Sequence, residues 1–222
     1  MENISNITMI DMEKIYQSGY IYSISQKILD LLEYYTIKHS KILVVRFDIR
    51  YPVSYDGAGS NRDISACLAY VVKKYKRWGL DPCYIWVREQ HRSVHPHFHC
   101  ALLLDGQKVR TYTHVFRNVE EAWGRTLGCS VSGCINHCTS GDLSDYNGKM
   151  LRRDVGHKAY MNRLHEVLRQ LSYLAKAYTK ELGYDGQRNF GCTQLPHERV
   201  PSYSEVFLSY YRWKISHRCS RA

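Results

Sequence analysis

The chain has 222 residues and is 44% hydrophobic, with 31 lysines and arginines against 21 aspartates and glutamates, a net charge of +10. These values indicate one globular domain, or one domain with extensions. The excess of cations, together with 19 tyrosines, favours a partner such as single-stranded nucleic acid over an ordinary basic surface. No window approaches the roughly 18 apolar residues of a membrane span and the N-terminus is no secretory signal, so we expect a cytoplasmic protein with reduced cysteines and no membrane partner.

Helical spacing of apolar residues from Ile21 to Tyr35 predicts a first helix. The run "KILVVRFDIRYP" then alternates as a strand does. One face of this strand carries Leu43, Val45, Phe47 and Ile49, and the other carries Arg46, Asp48 and Arg50. A glycine-containing loop, "SYDGAGSN", leads to a second helix that ends near Gly79.

The runs "CYIWVRE" and "HFHCALLL" predict two strands joined by a polar hairpin. A third helix follows Thr113, then a weak strand "SVSGCINHC", a polar loop near 139–158 and a last helix over 160–180. The order predicts an α+β fold with a ferredoxin-like βαββαβ core, whose antiparallel sheet has its helices on one face and an open face for a site. We expect residues 1–37 to form an N-terminal helical extension, 38–194 the functional domain with a C-terminal nucleophile-bearing helix, and 195–222 a basic C-terminal tail.

The segment "REQHRSVHPHFHCALLLDG" contains the first candidate site. Residues two apart in a strand point the same way, so His97 and His99 project together. Glu89 ends the preceding strand and could reach them across the hairpin, although alternation leaves its direction open. Two imidazoles and a carboxylate suit Mn²⁺, Mg²⁺ or Zn²⁺ with positions left for substrate. The alternative is that His97 and His99 are two polar residues on a solvent-exposed strand face. His95 has the same parity but lies at the entrance of the strand, where it would be a second-shell or spare ligand.

The last predicted helix contains the second candidate site. At 100° per residue, Tyr173 falls opposite the apolar face centred on Leu164, whereas Tyr178 falls within that face. The cations around Tyr173 are Arg169, Lys176 and Lys180. A neighbouring ammonium and a metal-bound phosphate would favour phenolate attack on phosphorus. The alternative is an exposed tyrosine on an ordinary basic helix.

Together, His97-Phe98-His99 and Tyr173-Leu174-Ala175-Lys176 resemble the paired motifs of the HUH endonuclease superfamily, a His-hydrophobic-His strand and a Tyr-x-x-Lys helix. The runs "HSKILVVRFDIRYP", "HPHFHCALLLDG" and "RNFGCT" are similar to the inovirus gene-II-type replication proteins, which include the YagK/YfjJ C-terminal domain found in prophages. The resemblance spans residues 38–194, the segment that would then be the HUH endonuclease domain.

The resemblance implies a rolling-circle replication initiator that nicks one strand of single-stranded or locally melted DNA at an origin, in the cytoplasm of a bacterial host. The nucleophile Tyr173 would become linked to the 5′ phosphate and leave a 3′ hydroxyl, with Lys176 stabilising charge. Glu89, His97 and His99 would bind Mg²⁺ or Mn²⁺. Tyr178 lies five residues from Tyr173, and not the four of two-tyrosine members, which favours a single nucleophile. No helicase segment is evident, so a host helicase would be a partner.

Five basic residues are predicted to contact DNA phosphates, with a solvated basic face as the alternative: Arg46, Arg50, Arg169, Lys180 and Arg188. Asp48 could contribute to this face or support the metal site. Zinc at Cys129, Cys134, His137 and Cys138 is disfavoured by loose spacing, and buried or incidental thiols are expected there.

Two other functions remain open at this stage. A transposase or relaxase of the same superfamily would differ only in the DNA it cuts. A non-catalytic nucleic-acid-binding module would share the fold, but it would carry aromatic rings where this strand carries histidines. The histidines favour the enzyme.

Overall fold

A computed structural model of the chain describes residues 21–90, 93–109, 111–138, 148–176 and 188–196. The helices within these ranges are α1 (Tyr22–Lys38), α2 (Asn61–Arg77), α3 (Thr113–Leu127) and α4 (His157–Leu171). The strands are β1 (Lys41–Ile49), β2 (Cys83–Glu89), β3 (His97–Asp105), β4 (Ile135–Asn136), β5 (Lys149–Arg152) and β6 (Phe190–Cys192). None of these helices has both the length and the apolar character needed to cross a bilayer.

All six strands form one antiparallel sheet, in the order β4-β1-β3-β2-β6, with β5 also paired to β1. The prediction of an α+β fold with an antiparallel sheet is therefore confirmed. Strands β5 and β6 were not predicted: β5 lies in the segment interpreted as a polar loop, and β6 lies near the end of the predicted 38–194 domain, where no element was predicted. Each has at most four residues, which is too few for a clear alternation.

Helices cover both faces of the sheet, which corrects the expectation of one open face. On the first face, α1 and α4 pack against apolar side chains that include Ile42 and Val44. On the second face, α2 and α3 pack against side chains that include Leu43 and Val45. The continuous apolar run at 42–45 is typical of a strand buried on both sides.

Helix α1, which lies almost wholly within the predicted N-terminal helical extension, packs against the first face of the sheet. Its apolar stripe is buried against the first face of the sheet and comprises Ile24, Ile28, Leu31, Leu32 and Tyr35. The hydroxyl of Tyr35 also donates a hydrogen bond to the carbonyl of Asp81, in the turn before β2. The helix therefore helps to position the sheet that carries the candidate site.

The loop between β1 and α2 is fixed by a capping box. The hydroxyl of Ser60 accepts from the amide of Arg62, and the carboxylate of Asp63 accepts from the amide of Ser60 at 2.8 Å. Tyr51, just after β1, donates its hydroxyl to the same carboxylate at 2.8 Å. These bonds satisfy amides that the first helical turn leaves unpaired.

Helix α4 ends at Leu171, and not near residue 180 as the periodicity predicts. A 3₁₀ turn, Ser172–Ala175, follows it. The carbonyl of Ala175 accepts a hydrogen bond from the amide of Ile21 at 2.6 Å, so contact with the start of α1 replaces a further helical turn. Residues 177–180, and with them Tyr178 and Lys180, lie outside the described residues.

Candidate metal centre

The pairing register of three strands brings the candidate ligands to one face. Directly paired residues of antiparallel strands place their side chains on the same side of the sheet. Glu89 pairs with His97 across β2 and β3, and Asp48 pairs with His99 across β1 and β3. The direction of Glu89, which the sequence left open, is therefore toward the two histidines, on the first face.

The side chains of Glu89, His97 and His99 converge. Nε2 of His99 lies 2.6 Å from Oε2 of Glu89, and Nε2 of His97 lies 3.6 Å from Oε1 of the same carboxylate. One potential ligand atom from each residue lies within 4.8 Å of the other two. Two imidazole nitrogens and a carboxylate oxygen form a donor set for a divalent cation. A cation at this position would take the place of the proton between His99 and Glu89.

Asp48 orients His99 from behind. The Nδ1–H of His99 donates to Oδ1 of Asp48 at 2.7 Å, which directs Nε2 toward the candidate metal position. Burial of Asp48 would by itself raise the pKa of its carboxyl. The hydrogen bond from His99 and the positive charges of His99 and Arg46 outweigh burial, so the pKa lies below its ordinary value. Asp48 is therefore ionised at neutral pH.

His97 is the more accessible of the two imidazoles. Its side chain is 22% exposed, against 4% for His99. Burial, and next the charge of His99, lower the pKa of His97, although the nearby carboxylate of Glu89 opposes them. His97 is neutral at neutral pH, the state in which an imidazole binds a metal. A substrate would approach the centre from the His97 side.

Tyr173 lies beside this centre. Its ring centroid is 5.5 Å from that of His99, with the two planes nearly perpendicular. Two cations lie close to the same ring, Arg46 with Cζ at 4.1 Å and Lys176 with Nζ at 4.2 Å from the centroid. The structure therefore brings the predicted nucleophile and its lysine to the predicted ligands, although the tyrosine lies on the 3₁₀ turn and not on a helix.

The residues predicted to contact DNA fall into different environments. Arg46 is only 4% exposed, which corrects the expectation that it lies on a face open to phosphates: α1 and α4 cover that face. Arg50 and Arg169 are exposed, and the charge of Arg50 contributes to the lowered pKa of His97. Arg188 is exposed just before β6, and Lys180 lies outside the described residues.

The remaining candidate ligands do not join a metal site. His95 donates its Nε2–H to the carbonyl of Gly57 at 2.7 Å. The ring of His137 stacks on Phe116, with centroids 3.8 Å apart, and Cys129 is exposed. Among the described residues, the set formed by Glu89, His97 and His99 is the one group of three such side chains whose ligand atoms converge.

Sequence reasoning did not find the roles that Asp48 and Arg46 have in this site. Asp48 was interpreted either as part of a solvated basic face or as support for the metal site, and Arg46 was expected to contact DNA phosphates. The available signal was their spacing of two residues, which places both on one face of β1. The register between β1 and β3, which sets Asp48 against His99, is not visible in that spacing.

Comparison with known proteins matches the chain to a protein family. The family model of the YagK/YfjJ C-terminal domain matches residues 5–193, a range that includes the converging ligands, Tyr173 and Lys176, and also α1. No curated protein and no solved structure matches the chain.

Proposed function

Given that this chain belongs to the YagK/YfjJ C-terminal domain family, we propose that it is a metal-dependent endonuclease of the HUH type that nicks single-stranded DNA and starts rolling-circle replication in a bacterial host. The observation that carries the proposal is the position of Tyr173, whose ring lies 5.5 Å from that of His99. A phenol beside a two-histidine, one-carboxylate donor set supplies both a nucleophile and a site for a cation that would polarise the phosphate, the two groups that metal-dependent cleavage by a tyrosine uses.

The order of the strands supports the ferredoxin-like part of the proposal. The elements β1, α2, β2, β3, α3 and β4 follow one another as βαββαβ, and their strands lie in the order β4-β1-β3-β2. In this reading β5, β6, α1 and α4 are additions to the core. The additions on the first face of the sheet enclose the candidate site and supply Tyr173.

The proposed cofactor is Mg²⁺ or Mn²⁺, held by Nε2 of His97, Nε2 of His99 and the carboxylate of Glu89. Carboxylate oxygen suits both cations, and the two imidazoles favour Mn²⁺ over Mg²⁺. When bound, the cation would polarise the scissile phosphate. Asp48 would keep His99 in the tautomer that presents Nε2.

The proposed reaction transfers one phosphate group of the DNA backbone from the 3′ oxygen of the DNA to Tyr173. The Oη atom of Tyr173 attacks phosphorus and loses its proton, so that an Oη–P bond forms and the P–O3′ bond breaks. The leaving O3′ takes up a proton and becomes a free 3′ hydroxyl, and the 5′ phosphate remains on the tyrosine. The ammonium of Lys176, 4.2 Å from the ring centroid, would offset the negative charge that develops.

Single-stranded or locally melted DNA fits the shape of the site. The donor set is recessed, with side chains 4–22% exposed, and a flexible strand can carry one phosphate into such a recess. Duplex DNA, with a persistence length of about 50 nm, bends at a cost of several kcal/mol. Exposed Arg50, Arg169 and Arg188 would contact the flanking phosphates, and a host helicase would supply further unwinding.

The test is covalent capture of DNA. Purified protein is incubated with Mn²⁺ and labelled single-stranded oligonucleotides that tile the DNA flanking its gene. We expect an SDS-stable protein–DNA adduct that Tyr173→Phe abolishes and Tyr70→Phe retains, because the hydroxyl of Tyr70 bonds to Glu121 on the surface of α3. An adduct that persists in Tyr173→Phe would remove Tyr173 from the role.

The same assay separates the alternatives. Oligonucleotides that bind but give no adduct with any divalent cation would favour the non-catalytic nucleic-acid-binding module. An adduct that forms at the ends of a mobile element or at a transfer origin would identify a transposase or a relaxase of the same superfamily.

A further inference from the structure

We infer that Arg46 is a positioning residue, which holds the ring of Tyr173 against the metal centre and links it to His99 through Asp48. The inference deepens the proposed function and rests on it for the assignment of Tyr173 as the nucleophile. The contact between Arg46 and Tyr173 is itself a feature of the structure, whatever the chemistry of the site.

A buried guanidinium needs partners, because an uncompensated charge in the protein interior costs several kcal/mol. Arg46 is 4% exposed. The residue paired with it across β3 is Ala101, whose methyl group leaves room above the sheet for a long side chain and a ring. The guanidinium lies with Nη2 at 3.4 Å from Oδ1 of Asp48 and Cζ at 4.1 Å from the ring centroid of Tyr173.

These contacts form one continuous chain of side chains. Oδ1 of Asp48 accepts both the Nδ1–H of His99, at 2.7 Å, and the longer bond from Arg46. The tyrosine ring is thereby connected to an imidazole of the donor set through a guanidinium and a carboxylate. A displacement of Arg46 would change the position of the ring relative to His99.

The contact between Arg46 and Tyr173 matters because the backbone at Tyr173 constrains the ring only weakly. The residue lies on the four-residue 3₁₀ turn Ser172–Ala175, beyond the end of α4. Hydrogen bonds of 3₁₀ turns have poorer geometry than those of an α-helix, so the turn alone constrains the ring less than a helix would. Contact with a buried side chain on the rigid sheet supplies the missing constraint.

The chemistry of arginine explains why this residue type fits the position. A planar guanidinium can stack on an aromatic ring and donate hydrogen bonds in its own plane at the same time. A lysine ammonium keeps the charge but is a point donor without a plane. Arg46→Lys therefore removes the positioning while preserving the charge, and Arg46→Gln removes both the charge and the length of side chain needed to contact Asp48 and the ring of Tyr173 together.

The test measures where the ring lies, independently of catalysis. 3-Fluorotyrosine is placed at position 173 of the full-length protein, and its ¹⁹F resonance is recorded with Mn²⁺ at a concentration that saturates each variant, as checked by calorimetry. Paramagnetic broadening falls with the sixth power of distance. We expect strong broadening in the unsubstituted protein and severalfold weaker broadening in Arg46→Lys and Arg46→Gln, with adduct formation slowed about 10- to 100-fold by the misplacement.

The matched control is another arginine–tyrosine contact of the same chain. Arg125 lies with Cζ 5.2 Å from the ring centroid of Tyr70, exposed on the second face, and Arg125→Lys should leave the broadening at 173 unchanged.

Circular dichroism establishes which variants fold. If Arg46→Lys does not fold, the broadening measured in Arg46→Gln decides the test. Unchanged broadening in the folded Arg46 variants would overturn the inference. Weakened broadening without any adduct in the unsubstituted protein would support the positioning and reject the nickase.

Discussion

A carboxylate that accepts a hydrogen bond from a metal-ligating imidazole fixes the tautomer of the ring and increases its basicity. Asp48 occupies this position behind His99, and it is itself buried, ionised and adjacent to Arg46. The three residues pack so closely that changing one of them changes the environment of the other two. At the scale of single residues, the site is therefore one hydrogen-bonded unit and not a set of independent ligands.

The first prediction concerns metal affinity. Asp48→Asn should weaken Mn²⁺ binding about 10- to 100-fold, because a neutral amide neither orients nor polarises His99 as a carboxylate does. Titration calorimetry measures the dissociation constant. Asp154→Asn is the control, since Asp154 is exposed and pairs with Arg152. An affinity within twofold of the unsubstituted protein would show that Asp48 only fills space.

The second prediction concerns pH. Burial lowers the pKa of His97 below its ordinary value of 6.5, so as pH falls through that value the unfolded chain gains a proton that the folded chain resists. The metal-free protein should therefore lose stability as the pH falls through 6.5, the ordinary pKa of a histidine. Asp48 adds a further loss only at lower pH, because its pKa is depressed below 3.8 and its stabilisation disappears as it is protonated.

Urea unfolding in the presence of a chelator checks this prediction at several pH values. His97→Gln should reduce the loss of unfolding free energy on acidification. A smaller slope should remain, because burial also lowers the pKa of His165. A slope that is identical with and without His97 would contradict the assignment of a neutral, partly buried imidazole.

At the scale of elements, the short strand β6 supports the strand that carries Glu89. β6 pairs with β2, and the amide of Arg88 donates to the carbonyl of Asn189 at 2.8 Å. The backbone of β6 approaches so closely that a Cβ on Gly191 would lie 2.7 Å from the indole of Trp86. Only glycine fits at this point of contact without a shift of the strand or of the indole.

The third prediction follows from that contact. Gly191→Ala should lower the free energy of unfolding by about 1–3 kcal/mol, because the extra methyl group overlaps a buried ring. Gly124→Ala should have little effect or should stabilise by up to about 1 kcal/mol, since Gly124 lies within α3 and its Cβ would lie at an ordinary contact distance of 3.4 Å from the carbonyl oxygen of Cys129 and a methyl group of Val131. Urea denaturation measures both, and equal effects would argue against steric exclusion at Gly191.

At the scale of the whole molecule, the cations behind the net charge of +10 lie in different environments. Arg46 is buried beneath α1 and α4, whereas Arg50 and Arg169 are exposed. Only exposed cations can displace counterions from a DNA backbone. Under the proposed function, the affinity for DNA should therefore depend on exposed cations such as Arg50 and Arg169, and not on the total charge alone.

The fourth prediction expresses this in salt dependence. Arg50→Gln and Arg169→Gln should each reduce the slope of log affinity for single-stranded DNA against log salt by about 0.7, the value for one lost phosphate contact. Fluorescence anisotropy over a range of salt concentrations measures the slope. Arg125→Gln, on the second face, should leave the slope unchanged. Equal slopes in all variants would place the DNA on another surface.

Features that depend on local periodicity could be predicted from the sequence. The helices α1, α2 and α3 and the strands β1, β2 and β3 were predictable because each is long enough for its apolar spacing to be distinctive. The shared direction of His97 and His99 follows from the two-residue repeat of a strand. The same spacing placed Tyr173 opposite the apolar face of a helix, but the residue lies on a 3₁₀ turn, where its ring contacts the buried side chains of Arg46 and His99.

Which of these residues are in contact depends on the tertiary structure. The pairing of Asp48 with His99 and of Arg46 with Ala101 depends on the register between β1 and β3, and the end of α4 depends on the bond from Ile21 to Ala175. Glu89 turned toward the histidines because antiparallel pairing opposes it to His97. Each is a contact between residues far apart in the chain or across a hairpin, and local periodicity carries no information about such contacts because it constrains a strand's faces and not its partners.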